Sequence, residues 1–422
     1  MFRPISIRQR IFDDLRRRLG GTVPLRVVLW DGEAFAFSPS PAVTITLGSR
    51  RLVRALMAGN FVRLGDAYVS GELAVDGKVE DIIRVGIELS ERIGATPLPS
   101  RVARALAYVS VRHSRRRDKA AIRHHYDVSN DFYRLWLDRN LIYSCAYFKT
   151  GSEDLDTAQE QKLEHICRKL LLKPGERLLD IGCGWGGLLN WAATHHGVEG
   201  VGVTLSEQQY LLARQRIAEA GLADRVEIRL QDYRDIPGRD EFDKVVSVGM
   251  YEHVGLANLP LYFATIVRLL KPGGAVLNHG ITLAGGVGRA KGLSGGEFID
   301  NHVFPGGELP PLSRVVKEVA ASGLEFVDAE DLRPHYALTL KHWVRRLEAC
   351  ATEATFASSP EHYRIWRIYM AAMAFAFDRG WLSVAQVLAL KPYARAMAKR
   401  PWTRGYQYDG NANPPSTGSL EW

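Results

Sequence analysis

The sequence predicts an α/β protein built on a doubly wound, mostly parallel sheet, with a smaller α+β domain at its N-terminus. Three observations lead there. From about Leu163 onward, short Val-, Ile- and Leu-rich runs alternate with helical patterns, as in a sheet covered on both faces. The first of those runs ends in the glycine-rich turn LDIGCGWGG. Residues before about Ser110 lack that rhythm. A chain of 422 residues, 46% of them hydrophobic, is long enough for one large core and a smaller appended one.

In chain order, AVTITLG alternates like a strand, while RRLVRALMAG and VEDIIRVGIELSERIG have helical spacing. These define an N-terminal domain over residues 1–110. TPLPS, Thr96 to Ser100, marks a break. VRHSRRRDKAAIRHHYD follows with Arg112, Arg115, Arg116, Arg117, Lys119 and Arg123, a run that suits either a solvated linker or a patch for lipid headgroups. Residues 111–422 form the second domain. Its strands are RLLDIGCG, VEGVGVTL, VEIRLQDY, FDKVVSVGM, GGAVLNHGITL and LEFVDAEDL, with helices such as EQQYLLARQRIAEAG and LYFATIVRLLKPGG between them. LSVAQVLAL, after the helical HYRIWRIYMAAMAFAF, reads as an added edge strand. The tail GNANPPSTGSLEW has the composition of a disordered segment.

Composition narrows the function. Cys145, Cys167, Cys183 and Cys350 are scattered and contain no CxxC spacing, so neither a disulfide framework nor a metal site is expected. A reducing compartment fits. MFRPISIRQRIFDDLRRRLGG carries Asp13 and Asp14 where a secretory signal needs an apolar run, and AAMAFAF is too short to span a bilayer. The net charge of +8 favours an anionic partner, either nucleic acid or an anionic membrane surface.

LDIGCGWGG supplies Asp180, Gly182, Gly184, Gly186 and Gly187 at a strand-to-helix turn, where glycines let backbone approach a ligand. Its spacing departs from the dinucleotide fingerprint GxGxxG. The second strand ends in Thr204, Leu205 and Ser206 with no acidic residue; Glu207 and Gln209 follow only at the start of the helix. An adenosine ligand without a pyrophosphate explains this better than NAD. The third strand ends in QDY, which offers Asp232 and Tyr233 to an adenine by hydrogen bonding and stacking. S-adenosylmethionine is the natural candidate. SVGMYEHVG sets Glu252 and His253 side by side where the fourth strand emerges; alone, that dipeptide also suits a helix cap.

HYDVSNDFYRLWLD, YSCAYF, LDIGCGWGG, VTLSEQQ, GMYEHVG, FPGGELP and HYALTLKHW occur in the order and spacing of the cyclopropane fatty acid and mycolic acid cyclopropane synthases. The resemblance covers the chain from about His125 to the end of the α/β domain, and GDAYVSGEL is similar to the additional domain of the bacterial phospholipid enzymes. It implies a Rossmann-like class I methyltransferase fold and methyl transfer from S-adenosylmethionine to the double bond of an unsaturated acyl chain. In that chemistry the resulting carbocation would lose a proton to bound bicarbonate and close to a cyclopropane. The resemblance assigns the bicarbonate site to Cys145, Glu252, His279, Ile281 and Tyr336. Such an ion would accept from His279, Tyr336 and backbone N–H groups near Cys145 and Ile281, with Glu252 taking its proton. Cys145 then contributes position rather than nucleophilicity.

For the cofactor, the resemblance implies Tyr143, Ser144, Gly182, Gly184, Thr204, Leu205 and Gln209, with Tyr233 and Arg234 toward the adenine, beside the Asp180 and Asp232 already singled out. Family members often carry Trp where Tyr233 stands, so that contact differs in detail. His125 and Tyr126 would begin a helix closing over the cofactor, and the glycine-rich Gly285 to Pro310 would cover the acyl channel. An enzyme of this kind is expected at the inner face of the cell membrane, cytoplasmic and peripheral. Its partners would be phospholipid acyl chains and anionic headgroups, and relatives suggest a homodimer. Two other readings are a methyl- or methylene-branching enzyme of the same family and a nucleic-acid methyltransferase. Against the second, the position after the fourth strand reads MYEHV rather than Asn or Asp, Pro, Pro and an aromatic.

Overall fold

The computed structural model describes residues 7–20, 22–93, 129–284, 298, 302–303, 308–395 and 400–408. The chain forms two compact units, Met1–Arg112 with Gly288–Pro305 and Leu347–Phe375, and His113–Val287 with Gly306–Arg346 and Ala376–Trp422. The first therefore takes in segments beyond residue 110. The break at Thr96–Ser100, the basic run Arg112–Arg123, His125 and Tyr126 lie outside the described residues, as do most of Gly285–Pro310 and the tail.

The first unit holds a four-stranded sheet of β1 (Leu25–Leu29), β2 (Ala34–Ala36), β3 (Val43–Leu47) and β4 (Leu73–Asp76), in the order β2-β1-β3-β4. β1 and β3 are parallel and the other pairs antiparallel. Helices Ile7–Leu19, Arg50–Met57, Phe61–Ser70 and Val79–Ile93 accompany the sheet, and their apolar residues join one core with its Val, Leu and Phe side chains. Asn60 caps the third of these helices through the N–H of Arg63. The late segment belongs here because Arg364 donates to the Val69 carbonyl and Arg367 to the Tyr68 hydroxyl and the Gly77 carbonyl.

The second unit contains β5 (Arg177–Ile181), β6 (Glu199–Thr204), β7 (Val226–Leu230), β8 (Phe242–Val248), β9 (Leu270–Leu283), β10 (Glu325–Asp331) and β11 (Leu382–Leu390). Their order is β10-β11-β9-β8-β5-β6-β7. β5 to β9 are mutually parallel, and β11 runs antiparallel to both its neighbours. All six strands expected in the α/β region form. LSVAQVLAL is not the edge, however: β11 is inserted between β9 and β10, and LEFVDAEDL takes the edge instead. The reason is burial. Every residue of β11 after Leu382 is buried, whereas β10 is buried only at Asp328 and keeps Glu325, Glu330 and Asp331 partly or fully exposed, as suits a sheet margin. Two apolar layers cover the sheet, one around Ile166, Leu189 and Leu277, the other around Tyr262, Phe263 and Val276. The order reverses at β5, so a crevice opens at its carboxyl end between β6 and β8.

Candidate active site

That crevice is a cleft whose walls come from the ends of β5, β6 and β8. Gly182, directly after β5, has φ +83, and its N–H and that of Cys183 both donate to the Val203 carbonyl, at 2.9 and 3.0 Å. This folds the turn tightly over β6 and leaves Gly182 and Gly184 facing the cleft. Gly187, which opens the next helix, permits the closest approach. A Cβ there would lie 2.4 Å from Ile142 Cδ1 and 2.7 Å from the Asn140 carbonyl, so the strand of chain leading to Tyr143 and Ser144 packs directly on the helix start. Both those residues line the cleft, with Asp180, Thr204, Leu205, Gln209 and Tyr233. Thr204 Oγ1 donates to Gln209 Oε1 at 2.8 Å, and Ser206 caps the helix through the Gln209 N–H, so the end of β6 and the next helix are locked together. Asp232 and Arg234 stand beside the cleft rather than among its lining residues. They pair with each other at 2.6 Å, and the Arg234 guanidinium lies over the Tyr233 ring.

Sequence reasoning missed the polar residues that the helix Leu155–Lys169 sends toward this cleft. Gln159 Nε2 donates to the Ser144 carbonyl at 2.9 Å, and Lys162 Nζ donates to Ser144 Oγ at 2.9 Å. Lys162 also lines the cleft and is only 2% exposed. Burial lowers its pKa to about 8 despite the nearby carboxylates of Asp138 and Asp180. Burial raises Asp180 to about 7, against the pull of Lys162. A signal existed in the periodicity. Leu155, Ala158, Leu163 and Ile166 trace the buried stripe, and Gln159 and Lys162 fall on it, where polar side chains need a reason.

A second group gathers at the end of β9. Pairing between β8 and β9 stops at Val248 and His279, after which Gly249 N–H donates to the His279 carbonyl. Glu252 then sits on a single helical turn, Tyr251–His253, with its Oε1 accepting from Ile281 N–H at 2.7 Å. Tyr251 Oη donates to the Ile281 carbonyl at 2.9 Å. The two neighbours in MYEHV thus diverge: His253 lines the cleft, while Glu252 closes the end of β9. The Ile281 N–H, expected to meet a bound ion, is held by Glu252 instead. Glu252 Oε2 is buried with no hydrogen-bond partner among the described residues, and burial lifts the carboxyl to about 7.

His279 is buried, its pKa driven well below the usual imidazole range by that burial. Gln386 Nε2 lies 3.2 Å from the His279 Nδ1, and His279 Nε2 is buried without a partner among the described residues. With Nδ1 accepting from the Gln386 amide, the neutral ring carries its hydrogen on Nε2. Tyr336 is buried on the helix Arg333–Ala349, its ring 4.7 Å from that of Phe377 and 6.1 Å from that of Trp343, which in turn is 5.2 Å from Tyr143. Aromatic packing therefore links Tyr336 to the cleft wall. Cys145 is 1% exposed; its Sγ lies 3.2 Å from the Ala146 carbonyl, and burial raises the thiol pKa. Ala146 N–H is taken by Thr339 Oγ1 at 3.0 Å.

Residues 113–387 match the family model of mycolic acid cyclopropane synthetase, and residues 17–93 match a domain of unknown function. A probable fatty acid methyltransferase of Pseudomonas putida is 47% identical over 386 residues, 92% of this chain and 96% of that protein. The cyclopropane-fatty-acyl-phospholipid synthase of Escherichia coli K12 is 36% identical over 344 residues, 79% of this chain and 84% of that one. The crystal structure of the mycolic acid cyclopropane synthase CmaA1 complexed with SAH and CTAB has a TM-score of 0.62 at 33% identity, covering 65% of this chain and 98% of that one. Fold, cleft and matches agree: the chain belongs to the cyclopropane synthase family of S-adenosylmethionine-dependent methyltransferases.

Proposed function

We propose that this protein methylates the double bond of unsaturated acyl chains of membrane phospholipids and closes a cyclopropane ring, with bicarbonate bound at the end of β9. One observation carries the reading. Among the described residues, Glu252 Oε2 and His279 Nε2 are both buried without partners, one held at the end of β9 and the other on it, and buried polar groups left so imply something that completes them. One is an acceptor and the other, in the tautomer that Gln386 favours, a donor. By donor and acceptor chemistry, a small ion with both an O–H and acceptor oxygens would complete the two groups. Glu252, His279 and Tyr336 would hold it, and Cys145 would shape the wall. Bicarbonate would supply a fixed base for the proton lost after methyl transfer, where loose water would quench a cation. Glu252, ionised, would draw the proton onward, and the neutral His279 would donate without adding a charge.

The setting we propose is the cytoplasmic face of the membrane, with the net charge of +8 drawing the protein to anionic headgroups. Among the described residues no helix is long and apolar enough to cross a bilayer. Neutralising Arg115, Arg116 and Arg117 is expected to weaken binding to anionic vesicles; unchanged binding at moderate salt would discard that contact.

A second reading, methyl or methylene branching, is favoured by the name of the Pseudomonas putida relative, a probable fatty acid methyltransferase, which specifies no ring. Mass spectrometry separates the two. Unsaturated phospholipid vesicles are incubated with methyl-labelled S-adenosylmethionine, beside Glu252→Gln and with bicarbonate depleted. A product one CH₂ heavier that resists hydrogenation and fades in both controls supports cyclopropanation. Uptake of hydrogen points to methylene branching, and no label in lipid points to another acceptor.

A further inference from the structure

Two opposite charges face the cleft from adjoining walls, and neither is neutralised by the other. Lys162 reaches in from the helix Leu155–Lys169, and Asp180 sits near the end of β5. Among the described residues, Lys162 Nζ has one hydrogen bond, to Ser144 Oγ, and no ion pair with a carboxylate. An ammonium has three N–H donors, so two remain for a ligand. The carboxylate whose charge acts most on Lys162, that of Asp138, is engaged by the N–H groups of Asn140 and Ile142, both at 2.8 Å. Asp180 feels burial and the charge of Lys162 but receives no hydrogen bond from a described residue.

A buried cation and a buried carboxylate, each left open toward one cavity, are costly without a ligand that completes both. The ligand they fit is a zwitterion with its charges a few atoms apart, such as an α-amino acid head. We infer that Lys162 is a cofactor-binding residue that takes the α-carboxylate of the methionyl end, while Asp180 faces its α-ammonium. Ser144 completes the arrangement: its Oγ accepts from Lys162, which leaves its own O–H to donate to the same carboxylate. Gln159, one turn earlier on the same helix, fixes the Ser144 carbonyl, so a single helix sets both groups.

The inference rests on S-adenosylmethionine as the cofactor, and the test separates the two. Calorimetry on the full chain compares S-adenosylhomocysteine with its decarboxylated analogue and with methylthioadenosine, which lacks the amino acid head. The wild type is expected to bind S-adenosylhomocysteine more tightly than the decarboxylated analogue by roughly 10- to 100-fold, the range of a charge-assisted hydrogen bond. Lys162→Met should erase that preference while holding methylthioadenosine within about threefold of wild type. Lys162→Arg, which keeps the charge, should restore part of it and covers the case in which the methionine variant does not fold. If Lys162→Met keeps the preference, or loses affinity equally for all three ligands, Lys162 is a packing residue and the inference falls. Failure of the wild type to bind S-adenosylhomocysteine would overturn the cofactor itself.

Discussion

Glu252 Oε1 accepts the Ile281 N–H at 2.7 Å while Oε2 of the same carboxylate is buried without a hydrogen-bond partner among the described residues. The two oxygens therefore serve different ends. β8 pairs with β9 as far as His279, and the Ile281 N–H is the next donor along that strand with no β8 residue opposite. Oε1 occupies the place of the missing strand carbonyl. Oε2 remains for chemistry.

Glu252→Gln separates these duties, because the amide keeps an acceptor for Ile281 but cannot take a proton. Lipid methylation is expected to fall by roughly 10²-fold or more. S-adenosylhomocysteine affinity should stay within about threefold, since Glu252 does not line the cleft. With the carboxyl at about 7, the wild-type kcat should drop as pH falls below 7, and this limb should vanish in the variant. Asp180, also near 7, faces the cofactor and should appear in its KM instead. A kcat that is flat from pH 6 to 8 would remove Glu252 from proton transfer.

The same group affects stability with a definite sign. Its folded pKa of about 7 stands above the ordinary 4.5, so the folded state retains a proton that the unfolded chain releases. Stability from this group is full below pH 4.5 and is lost as pH rises through 7. The loss is at most roughly 3 kcal/mol at 1.36 kcal/mol per unit. Glu252→Gln does not titrate, so it should gain on the wild type between pH 5 and pH 8 in urea melts. A stability difference independent of pH would show that the carboxyl is not desolvated.

Gly280 is held by packing rather than by backbone conformation. A Cβ there would lie 2.4 Å from Tyr251 Cε1 and 2.5 Å from Cζ, and that ring is pinned by its bond to the Ile281 carbonyl. Gly280→Ala must push Tyr251 aside, and Glu252 is its chain neighbour. We expect a stability loss of roughly 1–3 kcal/mol, as for other overpacked cores, and a disproportionate loss of methyl transfer. Thermal melts and turnover on the same preparation check both. Wild-type values would mean that Tyr251 moves freely.

How much was legible depended on whether the signal was local. The strands from β5 to β10 announce themselves as apolar runs, and LDIGCGWGG marks the crevice because glycine spacing is a property of the chain itself. The position of β11 is not: LSVAQVLAL looks the same at an edge or inside, and only its burial on both faces excludes the edge. The cleft residues Tyr143 and Ser144 were found through family resemblance, whereas Lys162, which bonds Ser144, lay hidden because a lone lysine in a charged helix reads as solvent-facing. Its buried position follows from which stripe of the helix packs inward. The bond between Glu252 and Ile281 joins residues 29 apart, and nothing in either segment encodes it.

Cys145 offers a thiol among the residues proposed for the ion site, but its environment argues against nucleophilic use. The side chain is 1% exposed, its Sγ faces the Ala146 and Leu332 carbonyls, and burial raises its pKa. A thiolate is the reactive form, and two carbonyl oxygens oppose it. Cys145→Ala removes only a small buried group, with a cost on the order of 1 kcal/mol. It should leave a measurable fraction of methyl transfer, far above that of Glu252→Gln. The native thiol should also resist alkylation until the protein unfolds. Loss of activity in the alanine variant equal to that of Glu252→Gln, with the fold intact by circular dichroism, would instead give the thiol a chemical role.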